Sequence, residues 1–293
     1  MSNSENAARF LASETHFADV DGARLAYRRF GGGPPLVMVH GWPVWGFTFR
    51  HLLPLLEPYF DCIVVDLPGC GASPWEGVKD WSIEGRSRLI ARFCEVLGLD
   101  RYFMLAQDTG ATLARYIAFW HPERFRALIV LNTEVPHHRP KWIPVYQKLL
   151  ALPGSEPLFM ASMKSRALTR SPLTFGGCFC NLDLIEGDFR RHVIDPMVKS
   201  KGWVHGQALT LRGINWSAVD RLEEIHPQIR VPTLVVWGTD DLYFPIDEGR
   251  KVAAQIPGAK LVEVPGTKLL LHEEKPGDVA RAVLDFTQGM RTT

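Results

Sequence analysis

Residues 102–121, YFMLAQDTGATLARYIAFWH, pass from a strand pattern to a helix pattern within a few residues. The first part is an apolar run, and the last part has the spacing of a helix with a buried face. Asp108 stands at the junction, close to three small residues, Ala106, Gly110 and Ala111. A sharp turn from strand to helix crowds its side chains, so it needs small neighbours. We therefore predict that Asp108 occupies the tip of such a turn, although an aspartate could also only cap the following helix.

The same alternation of strand and helix runs through both ends of the chain. Strands are predicted at 24–30, 34–40, 62–66, 102–108, 126–132, 231–238 and 259–266. Helices are predicted at 82–99, with Ser82 as N-cap, and at 111–121, 247–256 and 276–290. Several of these strands are continuous apolar runs, as in a parallel sheet covered on both faces by helices.

The alternation stops near Pro136 and resumes at Val231. The residues between them are helical and irregular, rich in Trp, Pro and Gly, with no strand of comparable strength. We therefore predict a core made of residues 1–135 and 231–293, and a helical cap at 136–230 inserted between two strands of one sheet.

The composition argues against several classes of function. The chain has 293 residues, with 46% hydrophobic and 22% charged residues, as is ordinary for a soluble enzyme. A formal net charge of +1 gives no reason to expect nucleic acid or an anionic membrane as partner. The first ten residues lack the apolar segment of a signal peptide, and no stretch reaches the ~18 apolar residues of a membrane span.

The cysteines indicate a reducing compartment rather than a disulfide framework. They are odd in number and scattered along the chain, at Cys62, Cys70, Cys94, Cys178 and Cys180. Cys178 and Cys180 form a C-x-C pair, but no second pair with zinc-type spacing accompanies it. We therefore expect a cytoplasmic protein with no metal and no cofactor, and a small-molecule substrate as its partner. The sequence does not predict the oligomeric state.

Polar motifs follow several of the predicted strands, where chemistry collects in open α/β sheets. HGWP (40–43) would place the backbone N–H of Trp42 beside that of Thr109, and two such donors form an oxyanion hole. DLPGCGAS (66–73) is a glycine-rich turn, and WGTDDLYFP (237–245) carries Asp241 after a late strand.

In this order, the motifs resemble the α/β-hydrolase superfamily over nearly the whole chain. The stretch AQDTGATLARYIAFWHPERFRALIVLN is similar to its haloalkane dehalogenase and epoxide hydrolase branch. The resemblance implies a mostly parallel sheet of about eight strands, with helices on both faces and a mainly helical cap over the active site. His40, in the HGWP motif, is expected to support its loop rather than to activate water.

The resemblance also implies a mechanism. Asp108 would attack a saturated carbon, displace a halide or open an epoxide, and form an alkyl ester. A histidine, oriented by a second acid, would then activate water to hydrolyse that ester. Asp241 matches the second acid better than the adjacent Asp240, a turn residue. In some dehalogenases this acid follows the strand that here ends in IVLN, where this chain has Asn132 and, two residues on, Glu134.

The chain departs from the branch around the leaving group. Thr109 occupies the position where a tryptophan usually holds the halide. Epoxide hydrolases usually place two cap tyrosines over the site, whereas the predicted cap has Tyr146, with Tyr243 as a possible second donor or a packed aromatic residue. The cap also has three tryptophans, Trp142, Trp203 and Trp216. They either pack in the core of the lid or donate an indole N–H to a halide.

The largest departure is the histidine. In this branch the catalytic histidine stands about seven residues before the proline that opens the final helix. Counted back from Pro276, that position is Leu269, and Lys268 precedes it where the family has glycine. His272 comes three residues later and could reach the site only after a shift of the loop. Lys268 is either a solvated lysine, a partner of Asp241 or a base.

Four interpretations therefore stay open. His272 could act as the base, or a cap histidine could do so, namely His137, His138, His192 or His205. The chemistry could also need no base, as in an elimination, isomerisation or cyclisation, or the protein could be a base-deficient variant or ligand-binding relic. The leading expectation is an α/β-fold hydrolase that acts through Asp108 on a small apolar epoxide or halide, with Tyr146, Trp142, Tyr243 and Leu269 near the substrate.

Overall fold

The computed structural model describes residues 3–291, which are built around one eight-stranded β-sheet. In chain order its strands are β1 (His16–Val20), β2 (Ala23–Gly31), β3 (Pro35–Val39), β4 (Asp61–Val65), β5 (Tyr102–Gln107), β6 (Phe125–Leu131), β7 (Thr233–Gly238) and β8 (Lys260–Val264). They lie in the order β1-β2-β4-β3-β5-β6-β7-β8, and β2 pairs antiparallel with both neighbours while the other pairs are parallel. The predicted fold, a mostly parallel eight-stranded sheet, is confirmed.

Residues 3–291 also form thirteen α-helices. They are α1 (Asn3–Ala12), α2 (Leu53–Leu56), α3 (Ile83–Val96), α4 (Thr109–Trp120), α5 (Ile143–Ala151), α6 (Ser155–Met163), α7 (Arg166–Thr169), α8 (Asp195–Lys199), α9 (Lys201–Arg212), α10 (Trp216–Ile225), α11 (Ile246–Gln255), α12 (Leu271–Glu274) and α13 (Pro276–Thr287). Ser82 caps α3 as predicted, because its side chain accepts a hydrogen bond from the N–H of Gly85 at 3.0 Å.

The burial of the strands explains their composition. Every residue of β4, β5 and β7 is buried, which is why these strands are continuous apolar runs. β1 and β8 lie at the edges of the sheet and are partly exposed. β1 was not among the strands located from the sequence, because HFADV is short and buries only alternate residues.

The segment between β6 and β7 contains α5 to α10 and no strand. It matches the helical insertion expected there, while the boundaries at 136 and 230 stay a prediction. Among residues 3–291, no helix has both the length and the apolar character needed to cross a bilayer.

The register of the sheet brings the predicted motifs together. Val39 of β3 pairs with Ala106 of β5, and Ala106 pairs with Val130 of β6. Leu131 in turn pairs with Val236 of β7. The loops that follow these four parallel strands therefore leave the sheet at the same edge.

Candidate active site

Asp108 lies at the tip of a tight turn between β5 and α4. Its backbone has φ 51° and ψ −132°, in the left-handed half of conformational space that side chains rarely adopt. A Cβ on Gly110 would lie 2.4 Å from the carbonyl oxygen of His40, so only glycine lets α4 start this close to the loop after β3. The turn predicted from the sequence is confirmed.

The loop after β3 holds one oxygen of the Asp108 carboxylate. The backbone N–H of Trp42 donates to Oδ2 of Asp108 at 2.8 Å, and the N–H of Thr109 also hydrogen-bonds to this carboxyl group. A Cβ on Gly41 would lie 2.4 Å from the same Oδ2, so this glycine permits the approach. The two amides that were expected to form an oxyanion hole therefore converge on Asp108.

His40 supports that loop, as expected. Its Nε2 accepts a hydrogen bond from the N–H of Leu67 at 2.9 Å, and its Nδ1 lies 2.8 Å from the carbonyl oxygen of Gly41. Burial lowers the pKa of His40 to about 4, so the ring is neutral at physiological pH. Both ring nitrogens serve the backbone, and neither is available to activate water.

Glu134 lies beside Asp108 and is the acidic residue that sequence reasoning underrated. The hydroxyls of Thr109 and Thr112 each donate to its carboxylate at 2.7 Å. The side chain of Thr109 thus serves Glu134 instead of a leaving halide. The sequence did contain a signal, since Thr109 and Thr112 are three residues apart on the first turn of α4 and present their hydroxyls on one face.

The surroundings of Asp108 favour its protonated form. Burial raises the pKa of the Asp108 carboxyl well above its usual range, and the nearby charge of Glu134 and the more weakly acting Asp241 raise it further. The amides of Thr109 and Trp42 act in the opposite direction by stabilising the charged form. Asp108 is a carboxylate whose ionisation is costly in the free protein.

Asp241 lies in the loop after β7 and is fixed by three donors. The side-chain amide of Asn132 donates to its Oδ2, and the N–H of Tyr243 donates to its Oδ1 at 2.8 Å. The N–H of Phe244 also donates to this carboxyl group. These hydrogen bonds lower the pKa of Asp241, but burial has the larger effect and raises it to about 7. Asp240 is exposed in the same turn, so the geometry favours Asp241 as the acid.

His272, one of the candidate bases left open by the sequence, does not line the cavity at Asp108. His272 lies in α12, fully buried, and its Nε2 is 2.8 Å from Oγ1 of Thr48. Burial lowers the pKa of His272 to about 3, with further lowering from Arg50 and His51. The physical reason is that α12 packs its apolar side inward and carries the ring with it into a buried polar cluster away from the cavity at Asp108.

The cap histidines do not replace it. His137 pairs with Glu223, His138 lies against the carbonyl of Tyr243, and His205 pairs with Glu156. His192 packs against Phe47. The four rings lie outside the cavity that adjoins Asp108.

Lys268 is held away from Asp241. Its Nζ donates to the carbonyl of Gly176 at 3.4 Å, and its charge is the weakest of the influences on the pKa of Asp241. Of the alternatives left open for Lys268, a direct ion pair with Asp241 is not formed among residues 3–291.

A mostly apolar cavity opens above Asp108 between the sheet and the helices that follow β6. Its lining is formed by Trp42, Pro43, Asp108, Thr109, Glu134, Pro140, Ile143, Tyr146, Phe159, Met163, Leu173, Thr174, Phe175, Cys178, Met197, Ile214, Trp216, Tyr243, Phe244 and Leu269. Three of the four expected substrate contacts, Tyr146, Tyr243 and Leu269, therefore adjoin this cavity.

Trp142 is the expected substrate contact that does not line this cavity. It precedes α5, and its ring faces Nζ of Lys141 outside the cavity, because α5 turns Ile143 and Tyr146 inward instead. Of the other cap tryptophans, Trp203 also lies outside the cavity lining, whereas Trp216 is part of it.

The site offers no obvious place for a metal. Among residues 3–291 no group of three or more His, Cys, Asp or Glu side chains could hold an ion. The five cysteines are unpaired thiols, and Cys178 lines the cavity. Burial raises the pKa of Cys178 well above its usual value, with a further rise from Asp241 and Asp108, so its thiol stays protonated.

The chain resembles curated proteins along most of its length. It is 24% identical over 274 residues to haloalkane dehalogenase 2 of Mycobacterium tuberculosis, covering 93% of this chain and 94% of that protein. It is 26% identical over 254 residues to cis-3-alkyl-4-alkyloxetan-2-one decarboxylase of Shewanella oneidensis, covering 80% of this chain and 76% of that protein.

Solved structures agree with this similarity at the level of the fold. The epoxide hydrolase CorEH superposes with a TM-score of 0.81 at 19% identity, over 95% of this chain and 99% of that one. Residues 34–276 match the family with the α/β-hydrolase fold. The chain therefore belongs to the α/β-hydrolase-fold family, which confirms the predicted α/β-fold hydrolase related to haloalkane dehalogenases and epoxide hydrolases.

Proposed function

We propose that the protein opens a strained oxygen-containing ring, such as an epoxide, on a small apolar molecule, with Asp108 as the nucleophile. The observation that carries this proposal is the 2.8 Å hydrogen bond from the N–H of Trp42 to Oδ2 of Asp108. It leaves Oδ1 as the oxygen that attacks carbon, while Oδ2 becomes the carbonyl oxygen of the resulting ester. The amides of Trp42 and Thr109 then lie where charge develops when that ester is attacked.

A ring oxygen is favoured over a halide because the indole donors at the cavity are already used. Nε1 of Trp42 donates to the carbonyl of Gln207 at 3.1 Å, and Nε1 of Trp216 donates to the side chain of Gln147 at 2.7 Å. Thr109, at the usual halide-binding position, donates to Glu134. A departing halide would therefore meet no free N–H from these side chains.

Two tyrosines can protonate the oxygen of an opening ring. Tyr146 and Tyr243 both line the cavity, and burial raises the pKa of each phenol, so both hold their protons at neutral pH. Their hydroxyls donate to neighbouring carbonyls, those of Leu173 and Thr174. Either proton can pass to an alkoxide if the hydroxyl turns from its carbonyl into the cavity.

The ester must then be released without a nearby imidazole. Leu269 lines the cavity at the position where the branch has histidine. Glu134 is the other carboxyl group of the cavity lining, and it is the residue we assign to water activation. A carboxylate is a weaker base than imidazole, so we expect this hydrolysis to be slow and the ester to accumulate.

A second candidate releases the ester without water. It is favoured by the lack of a cavity histidine in residues 3–291 and by the relative named as an oxetan-2-one decarboxylase. Asp108 would attack the saturated ring carbon that is bonded to the ring oxygen, and this carbon–oxygen bond would break to give a carboxylate. The bond between the carboxylate and the neighbouring carbon would then break to release CO2. The electron pair of that bond would form the new carbon–carbon double bond and expel Asp108 as a free carboxylate.

The test is a single turnover in ¹⁸O-labelled water with an aryl epoxide, an alkyl bromide and a cis-disubstituted oxetan-2-one. Intact mass detects the ester, peptide mass locates the label, and gas chromatography identifies the products. With the epoxide we expect an adduct on Asp108, a diol without label and label in Asp108 itself. An alkene with no label in protein or product would instead support the second candidate.

Asp108→Asn is the control for both candidates. We expect it to form no adduct and to lose turnover by at least about 10³-fold while its far-ultraviolet circular dichroism is unchanged. Full activity in this variant, or label in the diol after one turnover, would refute an ester on Asp108. An adduct that forms with the bromide alone would refute ring opening.

A further inference from the structure

Helices α5 and α6 and the turn between them carry the two most exposed large apolar side chains of residues 3–291. Leu158 is 65% exposed and Leu152 is 59% exposed, and Val145, two turns earlier, is 49% exposed. Val145 and Leu152 are seven residues apart and so lie on one face of α5 and its extension. We call these three residues the α5–α6 patch.

The stretch of sequence that carries this patch is rich in basic residues. Between residues 139 and 170 there are six cationic side chains, Arg139, Lys141, Lys148, Lys164, Arg166 and Arg170, and one acidic side chain, Glu156. By sequence this stretch carries +5, while the whole chain carries +1. Arg139, Arg166 and Arg170 form ion pairs with acidic side chains outside the stretch, Asp220, Asp183 and Glu186. The excess positive charge therefore comes from the three lysines, Lys141, Lys148 and Lys164. Lys148 lies one turn from Val145, and Lys164 lies six residues after Leu158. Both lysines are exposed, and neither forms an ion pair within residues 3–291.

The same two helices also form the roof of the cavity. Ile143 and Tyr146 of α5, and Phe159 and Met163 of α6, line it. These helices thus have apolar side chains on two sides, one toward Asp108 and one toward solvent. A soluble protein rarely exposes apolar residues together without a partner for them.

We propose that the α5–α6 patch docks on the surface of an anionic phospholipid bilayer. Leucine and valine side chains that enter the boundary of the acyl chains, together with lysines that contact anionic headgroups, are the combination that binds such a surface. The expectation of no membrane partner rested on the net charge of the whole chain, which conceals the basic stretch. If the proposed function is right, docking also brings the cavity roof to the phase in which an apolar substrate is dissolved.

The experiment is sedimentation of the full chain with vesicles, independent of any activity. One set contains phosphatidylcholine and phosphatidylglycerol at 70:30, and the other contains phosphatidylcholine alone. We expect at least fivefold more protein bound to the anionic vesicles in 0.1 M NaCl, and most of this binding lost in 0.5 M NaCl. Equal binding to the two sets, or none to either, would overturn the proposal.

Two double variants test the patch itself. Leu152→Ser/Leu158→Ser and Lys148→Gln/Lys164→Gln should each lower the fraction bound at least fivefold with unchanged melting temperature. Matched controls on other exposed surfaces, Leu11→Ser/Leu55→Ser and Lys251→Gln/Lys260→Gln, should bind like the parent. Binding retained by both patch variants would overturn the proposal. So would a dimer of the parent chain that the leucine variant dissociates, since the patch would then be an interface between copies.

Discussion

Two other buried carboxyl groups, those of Glu134 and Asp241, lie near Asp108, the proposed nucleophile, and together with burial they govern when it can attack. Burial, Glu134 and Asp241 all raise the pKa of Asp108, in that order of influence. A protonated carboxyl group is a poor nucleophile, so ester formation should speed up as pH rises through the raised pKa of Asp108. This pH range lies above that of an ordinary aspartate.

Glu134→Gln should shift that pH dependence to lower pH. The substitution removes the nearby negative charge that most strongly raises the pKa of Asp108, so the carboxylate forms more readily. The measurement is the rate of adduct formation on Asp108 from pH 5 to 9 in a single turnover. Asp241→Asn is the control and should shift the midpoint less. A midpoint that stays in place, or moves upward, in Glu134→Gln would contradict the assigned repulsion.

Leu269→His should accelerate release of the ester. The new imidazole would lie in the cavity lining. It would occupy the loop position at which the resemblance to the dehalogenase and epoxide hydrolase branch implies a histidine. Removal of the adduct should become about 10²-fold faster, the low end of the gain from a positioned general base. The decay of the adduct is followed by intact mass. Leu269→Gln gives a polar side chain without a base, and equal acceleration in this control would exclude base catalysis as the cause.

Local motifs placed the proposed nucleophile, but they did not place a base. Asp108, Trp42 and Thr109 could be placed from the sequence because each lies close to a strand end, where backbone geometry leaves little choice. The expectation that Leu269 replaces the histidine of the branch came from its distance to Pro276 along the sequence. The place of His272 could not be predicted, because it depends on how a four-residue helix packs against Thr48.

Among the elements, the loop after β8 is tied to the helical segment above the sheet. Oε1 of Glu274 accepts from the N–H groups of Cys180 and Asn181 at 2.7 and 3.0 Å, and Oε2 accepts from the N–H of Lys268 at 2.9 Å. The N–H of Leu270 also donates to the carbonyl of Cys178 at 3.2 Å. One carboxylate thus fixes the loop that carries Leu269 against the segment at residues 178–181.

Glu274→Ala should loosen this connection. Loss of hydrogen bonds to a charged acceptor should lower the free energy of unfolding by about 1–3 kcal/mol. Urea denaturation measures this loss, and amide exchange should quicken at Lys268, Cys180 and Asn181. Asp278→Ala, which removes an exposed carboxylate of α13, is the matched control. A loss no larger than in the control, with unchanged exchange, would show that the contact does not hold the loop.

The central elements could be predicted well and the peripheral ones poorly. β4, β5 and β7 are buried along their whole length, so their apolar runs reflect the environment directly. β1 pairs only with β2 at the edge of the sheet, and its short alternating pattern carries little information. The helices after β6 pack around a cavity rather than on a sheet, so no single period identifies them.

At the scale of the whole molecule, buried histidines and buried carboxyl groups respond to pH in opposite ways. Burial lowers the pKa to about 4 for His40 and about 3 for His51, His226 and His272. Burial raises the pKa to about 7 for Asp241. Below about pH 6.5 the unfolded chain protonates its histidines while the folded chain does not, so each buried histidine destabilises the fold as pH falls.

The carboxyl groups compensate over part of this range. A carboxyl group with a raised pKa binds its proton in the folded state first, so it stabilises the fold as pH falls from about 7 to about 4. Asp66, whose pKa burial raises to about 6, acts in the same direction as Asp241. Below about pH 4 the unfolded carboxyl groups are protonated too, and only the histidine contribution continues to grow. Because four buried histidines oppose these two carboxyl groups, we expect stability to fall as pH falls from about 6.5 to 4, and to fall more steeply between about 4 and 3.

Two single variants should change the slope of stability against pH in opposite directions. His272→Gln removes a group that destabilises the fold in acid, so its stability relative to the parent should improve as pH falls from 6.5 to 4.5. Asp241→Asn removes a group that stabilises the fold in acid, so its relative stability should worsen over the same range. Each slope should be at most about 1.4 kcal/mol per pH unit, the value for one proton. Urea unfolding at several pH values measures both slopes. A histidine and a carboxyl group that are both buried uncharged shift stability in opposite directions as pH falls. Slopes of the same sign would therefore show that at least one of these two groups is charged in the folded protein.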